Sequence, residues 1–213
     1  LVGLCAMIIA IDGPTASGKG TIAKAVAEHF GLPCLDTGLL YRAVALSLIK
    51  AGKALTDVEA ARAAAASLDL MAYDPNELRT AAIGAGASVV AVIPEVRAAL
   101  LEYQRSFATQ SGGAVLDGRD IATVIAPQAD VKIFVTATPE ERAQRRQAEL
   151  AKRGETVSFD TMLAQIKERD ARDSGRKDAP LTMAPDAILL DTTQLSIDAA
   201  IAEARAVVAR ARI

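Results

Sequence analysis

Short apolar runs alternate with longer amphipathic stretches along this chain. The apolar runs predict buried strands at Met7–Asp12, Pro33–Leu35, Ala114–Asp117, Val131–Val135 and Ala187–Asp191. Between them, apolar residues recur three and four positions apart, which predicts helices. The predicted helices are Lys19–Phe30, Leu39–Ala51, Asp57–Ala66, Asn76–Val92, Glu95–Thr109, Pro139–Lys152, Phe159–Arg172 and Ile197–Ala211. Alternating strands and helices predict an α/β fold with a five-stranded parallel sheet covered on both faces.

Local signals mark several helix ends. Thr138 is followed by Pro139 and Glu141, a capping box with proline at the first helical position. Ser196 is expected to cap the last helix in the same manner. His29, the one histidine, closes the first predicted helix before a glycine, so its expected role is at the helix end rather than in catalysis.

Two long segments exceed a minimal strand–helix alternation. The 213 residues fit one domain, 1–213, whose predicted core is 7–38, 111–141 and 178–213. Residues 39–110 form a mostly helical excursion, and residues 142–177 form a cationic one with ten basic against six acidic residues.

The cationic excursion has two interpretations. It is either a solvated helix face with i,i+4 ion pairs or a surface that binds an anion. Arg169, Arg172, Asp173 and Arg176 share one helix face, and guanidinium groups that are close together repel unless an anion or carboxylate lies among them. This arrangement favours the anion-binding interpretation. Arg176 is expected to be exposed and to support no core.

Composition excludes several classes of partner. The net charge is −2, aromatic residues make up 3% and tryptophan is absent, which argues against a nucleic-acid or anionic membrane partner. No apolar run approaches the roughly 20 residues that cross a bilayer. Residues 1–6 are expected to be a leader or a misassigned start before Met7, and Cys5 and Cys34 to be free thiols. We expect a cytoplasmic monomer.

A glycine-rich loop between the first predicted strand and helix carries the strongest chemical signal. It consists of Gly13, Pro14, Thr15, Ala16, Ser17, Gly18, Lys19, Gly20 and Thr21. Glycines allow backbone N–H groups to point at one anion, and the lysine reaches the outer phosphates of a nucleoside triphosphate. The alternative, a glycine-rich turn with an exposed lysine, does not account for the flanking strand and helix. Gly20 stands where Ser or Thr usually offers a hydroxyl to Mg²⁺.

Four segments in this order resemble the bacterial cytidylate kinase family. They are the loop Gly13–Thr21, Asp36-Thr37-Gly38-Leu39-Leu40-Tyr41-Arg42, Asp117-Gly118-Arg119-Asp120 and Glu168-Arg169-Asp170-Ala171-Arg172-Asp173. The resemblance implies a P-loop, three-layer fold in which residues 39–110 are the region that binds the nucleoside monophosphate and residues 142–177 are a short lid. It also implies transfer of the γ-phosphoryl group of ATP to CMP or dCMP, with Mg²⁺ as cofactor.

The resemblance also implies roles for individual residues. Thr37 and Arg42 would hold the acceptor nucleotide, Ser88 and Arg97 its cytosine ring, and Asp173 its sugar. Arg119, Arg169 and Arg176 would bind phosphates and, with Lys19, act in catalysis. Asp120 would read the base, because a carboxylate accepts from the exocyclic amine of cytosine and repels the carbonyl oxygen of uracil. A helix cap or an ion pair with Arg119 is the alternative role for Asp120.

No catalytic base is expected, because a phosphate monoester is mostly dianionic at neutral pH and its oxygen is already nucleophilic. Asp117, after an apolar strand, is placed like a carboxylate that holds the water shell of magnesium. The segment 70–79 is too short for the β-rich insert of longer family members, which leaves the margin for CMP over UMP open.

Two other functions compete with this interpretation. A P-loop kinase for an alcohol such as shikimate or dephospho-coenzyme A would need a carboxylate base near the hydroxyl. A nucleotide-gated regulatory protein would hydrolyse a nucleotide without transferring its phosphoryl group. The acceptors that the protein phosphorylates distinguish these functions.

Overall fold

The computed structural model describes residues 7–211, so the expectations about residues 1–6 and Cys5 lie outside the described residues. Five strands form one sheet in the order β2-β3-β1-β4-β5. They are β1 Met7–Asp12, β2 Cys34–Asp36, β3 Gly113–Gly118, β4 Val131–Thr136 and β5 Ile188–Asp191. β1 runs parallel to β3 and β4, and β4 runs parallel to β5. The predicted five-stranded α/β sheet is confirmed, with strand ends within one or two residues.

Helices occupy the intervals between the strands. Their bounds are α1 Lys19–Phe30, α2 Gly38–Lys50, α3 Val58–Ala66, α4 Pro75–Leu78, α5 Ala81–Val90, α6 Pro94–Ala108, α7 Pro139–Ala151, α8 Phe159–Ser174 and α9 Ile197–Ala211. The cap predictions at Thr138 and Ser196 are confirmed, since their hydroxyls accept from the N–H groups of Glu141 and Ala199. His29 lies in the last turn of α1, edge-on to Phe30.

The single helix predicted over Asn76–Val92 is wrong, because two helices occupy it. Asp74 accepts from the N–H of Asn76 and starts α4 with Pro75 in its first turn. Thr80 then accepts from the N–H of Ile83 and starts α5. The break therefore lies at a capping threonine rather than at the glycines Gly84 and Gly86, which lie inside α5.

Two short elements were not predicted. A 3₁₀ turn spans Leu70–Ala72, and a π-helical turn, hereafter the π turn, spans Ile121–Ile125 directly after β3. The π turn begins at Asp120, one of the residues for which a binding role was predicted.

Contacts divide the chain into two compact units. The first unit comprises the residues up to Leu35 and those from Phe107 onward. Its core lies where α1 and α9 pack on the sheet, and it includes Ile11, Ile22, Val26, Ile133 and Val207. Cys34, a free thiol, packs against this core. Burial of these side chains drives the packing of the helices on the sheet.

The second unit, Asp36–Ser106, is helical apart from its first residue and connecting turns. α2 packs against α3 and α5, and its core includes Leu40, Val44, Leu48, Val90 and Leu100. Among residues 7–211 no single helix has the length and hydropathy to cross a bilayer; α5 and α6 together pass by length and composition only, and they are bent by 101°.

Candidate active site

The glycine-rich loop follows β1 and adopts a backbone that only some of its residues permit. Gly13 has φ 154°, and a side chain there would collide with the carbonyl oxygen of Val135. Gly18, with φ 90°, and Ala16, with φ 58°, both lie in the left-handed region, where glycine is least strained. The loop therefore passes close to β4 before it turns into α1.

The start of α1 has no side-chain cap. Gly18, the residue before the helix, has no side chain that could cap it, and the first turn has no acidic residue. By contrast, Asp57, Thr138 and Ser158 cap α3, α7 and α8 through side-chain oxygens. The first N–H groups of an uncapped helix attract an anion, and Lys19 adds a charge beside them.

Two further features of the loop suit phosphate. The Lys19 ammonium donates to the carbonyl oxygen of Pro14 at 3.4 Å, so it folds back over the loop. The Ser17 hydroxyl is fully buried and has no hydrogen-bond partner among the described residues. A buried polar group of this kind is rare unless a ligand or water completes it.

A cleft of about 420 Å³ lies beside the loop and was not foreseen. The loop and the start of α1 form one side; Arg145 and Arg146 on α7 and Leu195 and Ile197 before and at the start of α9 form another. The lining mixes apolar side chains with two ion pairs, Arg145 with Glu141 and Arg146 with Glu149, and such a mixed cleft suits a nucleotide base. No sequence motif marks these residues, because only the packing of the folded chain brings α7 and the β5–α9 segment to the loop.

Thr192 connects three parts of this cleft. Its hydroxyl donates to the carbonyl oxygen of Ser17 at 3.0 Å and accepts from the Arg145 guanidinium at 2.8 Å. Arg145 also donates to the Thr192 carbonyl oxygen and to Glu141. The network fixes the position of α7 relative to the loop.

Three guanidinium groups surround one buried carboxylate at the end of α8. Asp173 is 3% exposed and pairs with Arg119 at 2.9 Å, Arg176 at 2.8 Å and Arg169 at 3.9 Å. Burial raises the pKa of Asp173, but the three guanidinium groups outweigh burial, and the pKa lies below its ordinary value. We call these four residues the arginine cluster.

Two expectations about this face are corrected. The Arg176 side chain is 4% exposed because it packs against Asp173, so the expectation of an exposed residue is wrong. Arg172 pairs instead with Glu168 at 3.3 Å, and Arg119 from the end of β3 joins the cluster in its place. Helical spacing could not reveal Arg119, which lies 54 residues from Asp173.

A second, partly buried ion pair connects α7, α8 and the loop. Arg142 on α7 donates to both carboxylate oxygens of Asp170 on α8. The same guanidinium donates to the carbonyl oxygens of Thr15 and Ala137. A planar fork with this many acceptors holds the three segments in one arrangement.

The π turn is held by a carboxylate from another strand. Asp12, 2% exposed at the end of β1, accepts from the N–H groups of Ile121 and Ala122 at 2.9 and 2.8 Å. Burial raises the pKa of Asp12 to about 6, although these two bonds oppose the rise. Asp120 is buried at the start of the turn, but its side chain makes no capping bond there, so the helix-cap alternative for it is wrong.

Asp117 is the candidate for magnesium. It is 3% exposed, and its Oδ2 lies 3.6 Å from where a side chain on Gly20 would begin. Among residues 7–211 no group of three or more metal-ligating side chains occurs. Magnesium typically takes one or two carboxylates and completes its shell with water and phosphate oxygens, so a buried carboxylate beside the phosphate loop fits this ion.

In the second unit, Arg42 lies against α5. Its guanidinium donates to the carbonyl oxygen of Leu78 at 2.8 Å, and a side chain on Gly84 would lie only 3.1 Å from it. Glycine at position 84 therefore gives the guanidinium its room. Ser88 lies one turn further along the same helix face, and its buried hydroxyl has no hydrogen-bond partner among the described residues.

The other predicted residues of the second unit lie on α2 and α6. The Arg97 guanidinium lies 5.8 Å from the centroid of the Tyr41 ring and donates to the carbonyl oxygen of Ala91 at 3.5 Å. Thr37 is buried at the start of α2. Thr37 immediately precedes α2, and Arg42 lies in the first part of this helix. Tyr41, next to Arg42 on α2, orients Arg97.

Comparisons with known proteins identify the family and the fold that this chain resembles. The family model described as cytidylate kinase matches residues 9–210. A curated cytidylate kinase of Azorhizobium caulinodans is 59% identical over 97% of this chain and 100% of its own length. That of Caulobacter vibrioides is 55% identical over 96% of each chain. Among solved structures, a gluconokinase from Sinorhizobium meliloti shares the fold with a TM-score of 0.52 at 17% identity, covering 96% of this chain and 92% of its own.

Proposed function

This chain belongs to the cytidylate kinase family, and we infer that it transfers the γ-phosphoryl group of ATP to CMP or dCMP, giving ADP with CDP or dCDP. The structural observation that supports this proposal most is that the start of α1 has no side-chain cap. It offers N–H groups and Lys19 to a triphosphate, beside a cleft large enough for a nucleobase.

ATP is proposed to bind in the first unit. The loop residues Gly13–Thr21 surround its phosphates, and the cleft lined by Arg145, Arg146, Leu195 and Ile197 takes the adenine ring. Ser17 supports this placement, because its buried hydroxyl needs a partner that a phosphate oxygen or an ordered water can supply.

Several of the predicted residues are proposed to contact the acceptor nucleotide. Arg42 would bind its phosphate, Thr37 would contribute to holding the nucleotide, and Ser88 and Arg97 would contact the cytosine ring. The buried, unsatisfied hydroxyl of Ser88 supports a polar ligand at that position. Asp120 would accept from the cytosine amine, which discriminates against uracil.

Catalysis would consist of positioning and neutralisation. An oxygen of the acceptor phosphate attacks the γ-phosphorus, the bond from that phosphorus to the bridging oxygen breaks, and ADP leaves. The acceptor phosphate is already nucleophilic, so no side chain has to remove a proton. Lys19, Arg119, Arg169 and Arg176 would offset the negative charge that the two nucleotides bring together.

Asp173 then has two proposed tasks. Its proposed contact with the sugar of the acceptor nucleotide adds to its pairing with Arg119 and Arg176, which holds their guanidinium groups in place before any nucleotide arrives. A preorganised cation loses little freedom when a phosphate binds.

Magnesium is proposed as cofactor near Asp117, whose carboxylate would hold the water shell of the ion, and the ion would withdraw charge from the phosphates. We further propose that the protein acts as a cytoplasmic monomer with no nucleic-acid or membrane partner, consistent with its net charge of −2.

A panel of acceptors tests the function. ADP release from ATP is measured with CMP, dCMP, UMP, AMP and shikimate, alongside a Lys19→Ala variant as the control for contaminating kinases. We expect turnover with CMP and dCMP that the variant loses. Turnover only with shikimate would identify an alcohol kinase, and ADP release that needs no acceptor would identify a nucleotide-hydrolysing regulator.

A further inference from the structure

We propose that Asp12 is a positioning residue for acceptor recognition, because its carboxylate fixes the backbone that carries Arg119 and Asp120. This inference rests on the proposed function, which gives those two residues contacts with the acceptor nucleotide. Asp12 itself touches neither nucleotide in this proposal and acts only through the π turn.

The contact is bidentate. Oδ1 of Asp12 accepts from the N–H of Ile121 at 2.9 Å, and Oδ2 accepts from the N–H of Ala122 at 2.8 Å. Each oxygen holds a different N–H group, so the π turn cannot rotate without breaking both bonds. Bonds to an ionised acceptor are also stronger than those between neutral groups.

The same residue fixes the chain on the other side of Arg119 and Asp120. The backbone of Asp12 pairs with Gly118 in the β1–β3 ladder. Asp12 therefore holds Gly118 through its backbone, and it holds Ile121 and Ala122 through its side chain. Only Arg119 and Asp120 lie between the two attachments, which leaves their backbone little freedom.

Asp12 also takes over a capping task. At the start of a helical turn, an aspartate side chain ordinarily accepts from the N–H groups that follow it. Asp120 occupies that position with φ −144° and ψ 26°, but its side chain makes no such bond. The cap comes instead from a strand 109 residues away, so capping does not direct the Asp120 carboxylate toward its own backbone.

The charge of Asp12 does not favour folding at neutral pH. Burial raises its pKa to about 6, and the nearby Asp120 carboxylate adds to the rise, while Arg119 opposes it. These are the charged groups that act on Asp12 from the adjoining segments. A neutral side chain would avoid the penalty of burial. A role in orienting the π turn therefore explains the carboxylate better than a role in stabilising the fold.

The test uses the ratio of kcat/KM for CMP to kcat/KM for UMP at pH 7.5. Both acceptors carry the same phosphate, so the ratio reports recognition of the base alone. The isosteric Asp12→Asn variant keeps one acceptor oxygen but turns an amide toward the second N–H. We expect the ratio to fall about tenfold, through a higher KM for CMP, with the KM for ATP unchanged within about twofold.

A double-mutant cycle separates an indirect effect from a direct one. If Asp12 acts through Asp120, then Asp12→Asn lowers the ratio no further once Asp120→Asn is present. The matched control is Asp130→Asn. Asp130 also accepts a β1 backbone N–H, that of Ile8 at 2.8 Å, but at the opposite end of the strand. Its ratio should equal that of the unsubstituted protein.

The outcomes distinguish failure of this inference from failure of the proposed function. If Asp120→Asn lowers the ratio but folded Asp12→Asn does not, or if the two losses add, the positioning role is overturned and the proposed function stands. If Asp120→Asn leaves the ratio unchanged, base reading by Asp120 is wrong and the inference falls with it. Urea unfolding checks the fold, and Asp12→Ser, which keeps one acceptor, replaces a variant that does not fold. Failure of both to fold would make Asp12 a structural residue and overturn the inference.

Discussion

The arginines proposed to bind substrate have different partners in the two units. In the first unit, Arg119 and Arg176 pair with the buried carboxylate of Asp173. In the second, Arg42 donates to a backbone carbonyl and Arg97 lies over an aromatic ring. A buried charge pair is strongly coupled to the fold, whereas a hydrogen bond to a neutral carbonyl oxygen does not neutralise the guanidinium charge. The arginines of the first unit should therefore affect stability as well as turnover, and Arg42 chiefly affinity.

Removal of the Asp173 charge should have the largest effect. Asp173→Asn removes the buried carboxylate that pairs with Arg119, Arg169 and Arg176, so we expect the free energy of unfolding to fall by about 3 kcal/mol. Urea unfolding at pH 7.5 measures it. Glu168→Gln is the control, since Glu168 pairs with Arg172 at the surface and should contribute under about 0.5 kcal/mol. Equal losses in the two variants would remove the distinction between the cluster and the surface.

The pH dependence of stability should show the buried carboxylates of the first unit acting in opposite directions. The folded-state pKa of Asp12 is raised from 3.8 to about 6, so its contribution is fully present below pH 3.8 and is lost as the pH rises through about 6. The pKa of Asp173 is lowered, so its contribution is present above pH 3.8 and is lost as the pH falls below that value.

The two contributions can be separated by variant. Relative to Asp12→Asn, the unsubstituted protein should lose about 2–3 kcal/mol of unfolding free energy between pH 4 and 7.5, as two pKa units imply. Unfolding curves at several pH values give the difference. A difference that does not change with pH would mean that Asp12 titrates normally.

Arg42→Gln tests the comparison in the second unit. The glutamine amide can still donate to a carbonyl, so the free energy of unfolding should fall by only about 1 kcal/mol. Loss of the charge should raise the KM for CMP at least tenfold. Steady-state kinetics and urea unfolding measure both. Arg62→Gln, at an exposed arginine of α3 that pairs with Glu59, should change neither. A stability loss as large as that of Asp173→Asn would contradict the comparison.

The smallest effect is expected at the surface of the second unit. Lys50 and Glu77 form an exposed ion pair at 2.8 Å. Lys50→Gln should lower the free energy of unfolding by less than about 0.5 kcal/mol at 0.15 M salt, because solvent screens the pair. A thermal or urea unfolding midpoint suffices. A loss above about 1 kcal/mol would show that surface charges also stabilise this unit.

Local patterns predicted most of the fold. The strands of the sheet are short apolar runs, α1 carries apolar periodicity, and the caps of α7 and α9 are read from neighbouring residues. The break between α4 and α5 was missed because the prediction rested on the apolar pattern of the segment, whereas the capping hydroxyl of Thr80 decides where α5 begins.

The site could be predicted only in part. The loop and the charged face of α8 are contiguous in sequence, so their chemistry could be read directly. The partners that Arg119 finds in Asp173, and that the π turn finds in Asp12, lie 54 and 109 residues away. Such contacts depend on how the chain packs, and neither spacing nor composition encodes them. The cleft beside the loop was missed for the same reason.

The central claim is that the guanidinium groups of the arginine cluster act on the phosphates during transfer. Arg169 is the member chosen to test it, because its ion pair with Asp173, at 3.9 Å, is the longest of the three. With ATP and CMP both saturating, kcat of Arg169→Ala should fall about 100-fold, while the KM for ATP stays within about threefold. An unchanged kcat in a correctly folded variant would contradict the account.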